Sequence, residues 1–311
     1  MEQNWGVIMP EKESKDVKVQ IMGAGAIGSL FGALIQLSGF SVHYVARGRQ
    51  LEALKENGLT ITGLIEGHLR VDVSNRPEEA DLTIVAVKAY DTEGAAKMLS
   101  EVDCGITFTI QNGIGNVEIL SKYLERVVGG VTTYGANLVG PGIVNYAGKG
   151  VVYAGNDGYA SEEAKFVKRV LEKGFNCELV DDISFRIWSK AIVNAAINPL
   201  TAICRVRNGK IVEVEELWSI AKAVVKEGVE VLKKIGLPET DFIEMVRDVA
   251  TKTSKNRSSM LQDVENGKKT EIDFINGEIV RRAEELGLEA PTNKILLKLV
   301  KGVEKAYGII E

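Results

Sequence analysis

Histidine and cysteine are scarce in this chain, which has two of the first and three of the second among 311 residues. A metal centre or a catalytic triad built on histidine has only His43 and His68 to use, so we expect neither. The cysteines (Cys104, Cys177 and Cys204) form no CxxC pair. Their scatter argues against a structural metal site and for a reducing compartment, and we predict a cytoplasmic location.

Positive charge is not in excess, and long apolar runs are missing. The net charge of −5 leaves no basic surplus to neutralise phosphates, which argues against a nucleic-acid partner. No apolar run approaches the roughly 20 residues that a membrane helix needs. Residues 1–16 are polar and lack the apolar core of a secretory signal, so we interpret them as an N-terminal extension without function.

What the chain does have is a regular alternation of two patterns over residues 17–181. Short apolar runs rich in β-branched residues alternate with segments of helical period, which predicts a doubly wound, mostly parallel sheet. The predicted strands are 17–22, 41–46, 82–87, 106–110, 127–133, 142–146, 151–154 and 177–179. The predicted helices are 26–37, 50–57, 91–99, 117–123 and 161–172.

The pattern changes after Asp182, where strand signals end. Segments of helical period follow one another to the end of the chain, at 183–203, 212–235, 241–252, 258–265, 271–286 and 293–307. Gly236 and Gly287 stand where helix C-caps are expected. We therefore predict an all-α domain over residues 182–311, and two domains also fit the length of the chain.

The segment between the first predicted strand and the first predicted helix has the spacing GxGxxG. Glycines there permit a tight turn and a close approach of pyrophosphate, while the helix N-terminus offers amides to the phosphates. Because the strand, the helix and a second strand stand at the expected distances, the pattern predicts a Rossmann-type dinucleotide-binding domain over residues 17–181. The predicted cofactor contacts in the loop are Gly23, Ala24, Gly25, Ala26, Ile27 and Gly28.

The end of the second predicted strand carries arginine instead of an acidic residue. NAD-specific sites usually have Asp or Glu there for the ribose 2′-hydroxyl, but no acidic residue lies between Gly39 and Gln50. Arg47, with Arg49 beside it, can pair with a 2′-phosphate. The pattern favours NADPH as the cofactor. The alternative is that both arginines are solvated loop residues and that NADH is used.

Two other predicted strands end in polar residues. Lys88 follows the strand 82–87, and Asn112 follows the strand 106–110. Ligands of doubly wound sheets bind at the carboxyl ends of the strands. We therefore predict that both side chains contact the cofactor or the substrate.

The helix predicted over 183–203 carries one polar stripe on an otherwise apolar surface. Lys190, Asn194 and Asn198 stand at i, i+4 and i+8, on one face of the helix. A helix that is apolar nearly all round is normally buried, and burying an ammonium and two amides without partners is costly. The stripe therefore predicts the wall of a site for a small, oxygen-rich molecule.

A second polar cluster begins at Asn256. Ser259 lies three residues later, so a helix would place both on one face. Thr270 can cap a helix that begins at Glu271, with Asp273 in its first turn. From spacing alone, these residues are more simply read as ordinary helix-start residues.

These features together closely resemble the ketopantoate reductases (2-dehydropantoate 2-reductases). The resemblance extends over nearly everything from Val17 onward. It implies a helical domain similar to the C-terminal domain of 6-phosphogluconate dehydrogenase. The matching segments are the glycine loop, Val87–Tyr90, Gln111–Gly113, Trp188–Lys190 with Asn194 and Asn198–Ala202, Ser258–Asp263, and Thr270–Gly277. The last three segments together distinguish this family from other reductases of the same architecture.

The resemblance implies reduction of 2-dehydropantoate to (R)-pantoate, a step toward pantothenate and coenzyme A. Lys190 resembles the family's proton donor, and Glu271 matches a carboxylate that serves the lysine, the cofactor or both. The implied cofactor contacts outside the glycine loop are Arg47, Lys88, Asn112, Ala136 and Glu271. The implied substrate contacts are Asn112, Lys190, Asn194, Asn198, Asn208 and Ser259.

Other functions and partners stay open at this point. Reduction of another branched 2-oxo acid on the same scaffold is the alternative activity. A dinucleotide sensor without catalysis is disfavoured, because it predicts a disrupted Lys–Asn–Asn stripe. The resemblance further implies a homodimer and feedback inhibition by coenzyme A. Closure of the two domains on each other predicts a hinge near Asp181–Ser184.

Overall fold

The structure is a computed structural model that describes residues 16–310. The predicted N-terminal extension, residues 1–16, lies outside the described residues except for Asp16. The described residues form twelve strands. In chain order these are β1 (Lys18–Met22), β2 (Ser41–Val45), β3 (Leu59–Gly63), β4 (Gly67–Leu69), β5 (Asp72–Ser74), β6 (Leu82–Val85), β7 (Ile106–Thr109), β8 (Val127–Thr132), β9 (Gly135–Gly140), β10 (Ile143–Gly148), β11 (Val152–Gly155) and β12 (Cys177–Val180).

Twelve α-helices occur in the same described range. The N-terminal half contains α1 (Ala26–Leu37), α2 (Gly48–Asn57), α3 (Thr92–Leu99), α4 (Asn116–Ser121) and α5 (Glu162–Leu171). The C-terminal half contains α6 (Ile183–Cys204), α7 (Lys210–Glu213), α8 (Glu215–Lys234), α9 (Phe242–Lys252), α10 (Ser259–Glu265), α11 (Asn276–Glu285) and α12 (Pro291–Ala306). Two 3₁₀ turns, Ala89–Asp91 and Ile272–Phe274, prove important for the site.

Eight strands form the main sheet, in the order β12-β11-β8-β7-β6-β1-β2-β5. All neighbouring strands are parallel except β8 and β11. The predicted mostly parallel sheet is thereby confirmed. From β1 the chain builds the sheet first toward β2 and then toward β6, so β1 and β6 border the switch point where ligands bind in such sheets.

Apolar side chains cover both faces of this sheet, which makes it doubly wound. On one face, Phe31 of α1 stacks on Phe175 with ring centroids 4.3 Å apart, and α5 packs into the same core. On the other face, Leu99 of α3 and Leu120 of α4 pack against Val85 of β6. All four residues of β6 are buried, as expected for a strand with helices on both sides.

A second, four-stranded sheet in the order β4-β3-β10-β9 was not predicted. The strand predicted at 142–146 is β10, which pairs with β3 and β9 in this small sheet. The strands β3, β4, β5 and β9 were missed. Both β4 and β5 have only three residues and bury no side chain fully. Their sequences therefore carry little of the alternation by which strands are recognised.

The C-terminal half is all helical, as predicted, and α6 runs through its centre. Fourteen of the 22 residues of α6 are buried, which explains why its sequence is apolar nearly all round. The main sheet ends at Val180 and α6 begins at Ile183, so the composition change in the sequence coincides with the change in architecture. No helix within residues 16–310 is long and apolar enough to span a membrane.

Two predicted helices have wrong boundaries. The helix predicted at 212–235 is divided, because Val214 is extended (φ −105°, ψ 114°) between α7 and α8. The helix predicted at 271–286 begins only at Asn276. Thr270 does not cap a helix that starts at Glu271; its hydroxyl accepts a hydrogen bond from the amide of Ile272 at 3.3 Å, and a 3₁₀ turn follows.

A contact between the two halves accounts for the second error. The carbonyl of Phe274 accepts a hydrogen bond from the amide of Ile114 in the N-terminal half, with N···O 2.9 Å. A Cβ added at Gly113 would lie only 2.7 Å from the same carbonyl, so a glycine is required there. The segment before α11 is thus shaped by a partner about 160 residues away in sequence, which local spacing cannot reveal.

Helix α6 continues through Pro199, which lacks the amide that would bond to Ala195. The side-chain amide of Asn276, fully buried on α11, donates to the Ala195 carbonyl at 3.2 Å instead. The same amide donates to Oδ1 of Asn293 at 3.0 Å. Asn276 therefore supplies the bond that proline removes, next to the polar stripe.

Candidate active site

The glycine loop lies between β1 and α1, and its three glycines meet different surroundings. Gly23 has φ +106°, and a Cβ there would lie 2.7 Å from the backbone nitrogen of Val87. A Cβ on Gly28 would lie 2.0 Å from the carbonyl oxygen of Gly23. A Cβ on Gly25, in contrast, would meet no atom within 4 Å. The first and third glycines are demanded by packing, whereas the middle one leaves open space above the loop.

That open space suits a dinucleotide pyrophosphate. Gly25 precedes α1, whose first amides point out of the helix end, and the first turn of α1 has no acidic residue. A phosphate approaching there meets amide donors and the positive end of the helix dipole without repulsion. The residues present in the loop therefore fit the nicotinamide cofactor that the sequence predicts.

Arg47 lies at the N-terminus of α2, directly after the buried end of β2. Its side chain is 82% exposed, and its Nη2 donates to Oδ2 of Asp91 at 2.5 Å. Arg49 is exposed in the same helix turn. The guanidinium predicted to bind a 2′-phosphate is thus beside the cofactor edge of the sheet, but it is paired with a carboxylate that sequence reasoning missed.

Lys88, three residues after the end of β6, reaches across to the helical half. Its Nζ lies 2.6 Å from Oδ2 of Asp263 and 3.3 Å from Oε2 of Glu271. Burial lowers the pKa of Lys88, but these two carboxylates outweigh burial and hold the pKa above its ordinary value. Burial raises the pKa of Asp263, against the opposing effect of Lys88. The three side chains form an ion-pair cluster between the halves.

Glu271 is buried and has a second contact in the N-terminal half. Its Oε1 accepts a hydrogen bond from the amide of Ala89 at 3.0 Å. The carboxylate thus joins the turn after β6 to the helical half. Asp263 was not predicted as a site residue, although it belongs to the segment Ser258–Asp263 that carried the resemblance.

Lys190 is partly buried, and its Nζ donates to the carbonyl of Thr132 at 2.8 Å. Burial lowers the pKa of this lysine from its ordinary 10.5 to about 8, and the charge of Glu271 opposes part of that drop. Thr132 is the last residue of β8, so Lys190 lies where the helical half meets the main sheet. Ala136, predicted to contact the cofactor, lies four residues later in β9.

Asn194 and Asn198 continue the stripe on α6. Asn194 is partly buried and Asn198 is buried, and no side-chain hydrogen bond joins either amide to another described residue. The backbone carbonyl of Asn198 accepts from Thr201 Oγ1 at 2.9 Å, and this hydroxyl also bonds Ser258 at 2.6 Å. The stripe therefore lies beside the start of α10, with amide groups available to a ligand.

The remaining predicted substrate contacts have different surroundings. Ser259 is exposed as the first residue of α10, and Ser258 before it caps the helix. Asn208 is buried; its Nδ2 donates to Thr253 at 2.9 Å, and its Oδ1 has no partner within the described part of the chain. An acceptor buried without a partner is costly, so a hydroxyl donor from a ligand or from water fits it.

Asn112 follows β7 and is partly buried. Its carbonyl accepts a hydrogen bond from the side chain of Asn116 at 3.0 Å, which fixes the turn that carries it. A cavity of about 250 Å³ adjoins this turn. Gln111, Gly113 and Trp188 are among its lining residues, but Asn112 and Lys190 are not. We therefore place the candidate site outside this cavity, in the cleft that the glycine loop, Lys88, Glu271 and Lys190 border.

Within residues 16–310, one group of potential metal ligands occurs, at the β5 edge of the main sheet: His43, Asp72 and Glu78. Asp72 lies 2.8 Å from Nδ1 of His43, whereas Glu78 lies 3.9 Å from Nε2. The two carboxylates approach different nitrogens of the ring, and both are exposed. A single ion binds only one imidazole nitrogen, so this arrangement suits a hydrogen-bonded histidine better than a metal centre.

Taken together, fold and cleft define a class: an oxidoreductase with a Rossmann-type domain for a nicotinamide cofactor and an all-helical second domain. Comparison with known families narrows the class. The family model described as ketopantoate reductase PanE/ApbA matches residues 19–158, and the model of its C-terminal part matches residues 182–304. The chain belongs to the ketopantoate reductase family.

Individual relatives agree with this assignment. The chain is 57% identical to a 2-dehydropantoate 2-reductase of Archaeoglobus fulgidus over 289 residues, which span 92% of this chain and 98% of the relative. It is 39% identical to the enzyme of the same name from Pyrococcus abyssi, over 94% and 99% of the two chains. The predicted family is confirmed.

Solved structures show the same architecture. A PanE/ApbA family ketopantoate reductase from Ralstonia eutropha superposes with a TM-score of 0.88 at 30% identity, over 94% of this chain and 99% of that one. A D-mandelate dehydrogenase in complex with NADH and anilino(oxo)acetate superposes with a TM-score of 0.87 at 27% identity, with the same coverage. The predicted fold class is confirmed.

Proposed function

We propose that this chain reduces 2-dehydropantoate to (R)-pantoate with a nicotinamide cofactor. The observation that carries the proposal is the stripe on α6. One amine with a lowered pKa stands in line with two side-chain amides that have no hydrogen-bond partner within residues 16–310, in a chain whose glycine loop fits a dinucleotide. Such a wall suits a substrate with a ketone, a hydroxyl and a carboxylate.

The roles of the residues follow from their chemistry. Bound NADPH or NADH supplies the hydride to the ketone carbon. Lys190 polarises the ketone oxygen and gives it a proton as negative charge develops. With a pKa of about 8, the amine is mostly protonated at neutral pH but gives up its proton more readily than an ordinary lysine. The Thr132 carbonyl holds the ammonium in position, and Glu271 limits the fall of its pKa.

Substrate and cofactor contacts complete the assignment. We assign Asn194 and Asn198 to the substrate hydroxyl and Ser259 to its carboxylate, with Asn112 and Asn208 as further contacts. The glycine loop with Ala136, Lys88 and Glu271 lines the cofactor side. Arg47 supports NADPH as the preferred cofactor, with NADH also accepted. The homodimer and the inhibition by coenzyme A stay predictions.

An assay of cofactor oxidation tests the proposal. The full chain is given 2-dehydropantoate or 3,3-dimethyl-2-oxobutanoate, which lacks only the hydroxyl, with each nicotinamide in turn. A site that hydrogen-bonds the hydroxyl should favour 2-dehydropantoate in kcat/KM by about 100-fold or more. Equal rates with both acids would contradict the assignment of the two asparagines.

Reduction of another bulky 2-oxo acid is the second candidate. It is favoured by the superposition on a dehydrogenase whose name refers to D-mandelate and which was solved with an oxoacetate compound. The two candidates differ in the substrate and share Lys190 as the acid. The same assay with phenylglyoxylate separates them, since a preference for this acid over 2-dehydropantoate would support the second candidate.

A further inference from the structure

The structure places an acidic residue at the ribose end of the cofactor site, where the sequence near β2 has none. Asp91 comes from the 3₁₀ turn after β6, and its Oδ2 lies 2.5 Å from Nη2 of Arg47. The two residues are 44 positions apart in the sequence. A carboxylate and a guanidinium therefore stand together at the position where cofactors with and without a 2′-phosphate differ.

The carboxylate is the more fixed partner of this pair. The side chain of Asp91 is 29% exposed, whereas that of Arg47 is 82% exposed. The amide of Asp91 donates to the Lys88 carbonyl at 2.8 Å, and the Ala89 amide donates to Glu271 in the helical half. The turn that carries Asp91 is thus anchored at its start, while Arg47 extends from the end of a helix into solvent.

A fixed carboxylate affects the two cofactors in opposite directions. A 2′-phosphate that binds Arg47 must either share the guanidinium with Asp91 or displace Asp91 from it. The phosphate and the Asp91 carboxylate are both negative and repel each other. A ribose 2′-hydroxyl, in contrast, can donate a hydrogen bond to a carboxylate. We propose that Asp91 is a specificity-determining residue that weakens NADPH binding relative to NADH and so permits the use of both. This inference rests on the proposed cofactor site.

The opposite role for Asp91 predicts an effect of opposite sign. If Asp91 served to hold Arg47 ready for the phosphate, its removal would weaken NADPH binding, as happens when a positioning contact is lost. The exposure of Arg47 argues against this role, because an exposed ion pair restrains a side chain little. The direction of the change in the affinity ratio therefore decides between the two.

The test is Asp91→Asn in the full chain, with dissociation constants for NADPH and NADH measured by quenching of intrinsic fluorescence without any keto acid. Removing the negative charge that pairs with Arg47 should shift the affinity ratio toward NADPH by about tenfold at low salt and by less at high salt. Asp91→Ser serves as a second variant if the amide disturbs the turn, and thermal unfolding checks that each variant is folded.

Glu93→Gln is the matched control. It removes the same charge two positions later, where the carboxylate pairs with Lys97 at 2.9 Å and with Tyr123 at 2.7 Å, away from Arg47. Its affinity ratio should stay within about twofold of the parent, since Glu93 pairs with Lys97 and Tyr123 and has no contact with Arg47. A ratio in Asp91→Asn that stays within twofold, or that moves toward NADH, overturns the proposal.

A failure of this proposal can be distinguished from a failure of the proposed function. If the parent chain does not reduce 2-dehydropantoate but Asp91→Asn shifts the affinity ratio as expected, the substrate assignment is contradicted and the role of Asp91 is supported. An unchanged ratio in a chain that reduces 2-dehydropantoate would contradict the role of Asp91 alone.

Discussion

The glycine loop of the N-terminal half presents backbone to the cleft, whereas α6 of the C-terminal half presents charged and amide side chains. On the first side, the glycine loop and the start of α1 offer amides and open space. On the second side, Lys190 and the two asparagines of α6 project from a buried helix. Binding by backbone depends on the absence of side chains at fixed positions. Binding by buried side chains depends on what compensates their lost hydration.

The two sides also differ in how far their partners lie along the chain. The glycine loop is complete within six consecutive residues, Gly23–Gly28. The helical half, in contrast, contributes Asp263 and Glu271, whose partner Lys88 lies 175 and 183 positions away in the N-terminal half. Mutations on the first side should therefore act through steric fit, and those on the second side through charge and hydrogen bonding.

The largest expected effect is at Lys190, on the α6 side of the cleft. Lys190→Ala removes the proposed acid and should lower kcat about 1,000-fold or more, while cofactor affinity changes little. Steady-state kinetics and cofactor titration measure both quantities. Lys298→Ala, an exposed lysine of α12, is the control and should leave kcat unchanged. Near-normal turnover in Lys190→Ala would remove this residue from the mechanism.

A steric change tests the glycine-loop side of the cleft. In Gly28→Ala the new Cβ would lie 2.0 Å from the Gly23 carbonyl, so the loop must move, and cofactor affinity should fall about 100-fold together with Tm. In Gly25→Ala the new Cβ meets only open space, so Tm should stay the same while cofactor affinity falls. A Gly25→Ala variant that binds the cofactor normally would show that the pyrophosphate lies elsewhere.

The pH profile sharpens the electrostatic side of the comparison. The protonated amine is the proposed acid, so kcat/KM for reduction should fall as pH rises through about 8, the lowered pKa of Lys190. Glu271 raises this pKa, so Glu271→Gln should move the alkaline fall to lower pH. Asp273→Asn, whose carboxylate pairs with Lys301 at 2.7 Å, is the control. A shift to higher pH in Glu271→Gln would contradict the charge interaction.

A smaller effect is expected at the far end of the stripe. Asn198→Ala removes a buried amide assigned to the substrate hydroxyl, so KM for 2-dehydropantoate should rise about tenfold with kcat within a few-fold of the parent. Steady-state kinetics with saturating cofactor measures this. Asn266→Ala, an exposed residue after α10, should leave KM unchanged. A fall in kcat as large as that of Lys190→Ala would make the binding role wrong.

The last prediction concerns stability and not chemistry. Asn276→Ala leaves the Ala195 carbonyl without its donor and should lower the free energy of unfolding by about 2 kcal/mol. Urea unfolding measures the change. Adding Pro199→Ala returns an amide to α6 and should recover part of the loss. No recovery in the double variant would show that the bond to Ala195 is not what Asn276 contributes.

Several features were predictable because their residues are neighbours in sequence or recur at a helical period. The strand, glycine loop and helix at 17–37 form one continuous segment, and the structure places β1 and α1 within it. The stripe on α6 follows from a spacing of four residues on an apolar helix. In both cases local geometry determines which groups share a face, so little information beyond the sequence is needed.

Other features depend on partners that local patterns do not contain. The small second sheet consists of short strands, and its pairing of β3 with β10 joins segments some 80 residues apart. The 3₁₀ turn before α11 exists because Phe274 bonds Ile114 across the two halves. Sequence reasoning expected a helix there, since it could only weigh the local helix signals at Thr270 and Glu271.

The sequence by itself determined the two-part architecture, the loop for the dinucleotide and the line of polar residues on α6, because repeating backbone geometry converts residue spacing into position. Only the tertiary structure decided what these groups meet: Asp91 beside Arg47, Glu271 and Asp263 around Lys88, and the Thr132 carbonyl beneath Lys190. Electrostatic and hydrogen-bonding partners are set by distance in space, and folding brings together residues that the order of the chain keeps far apart.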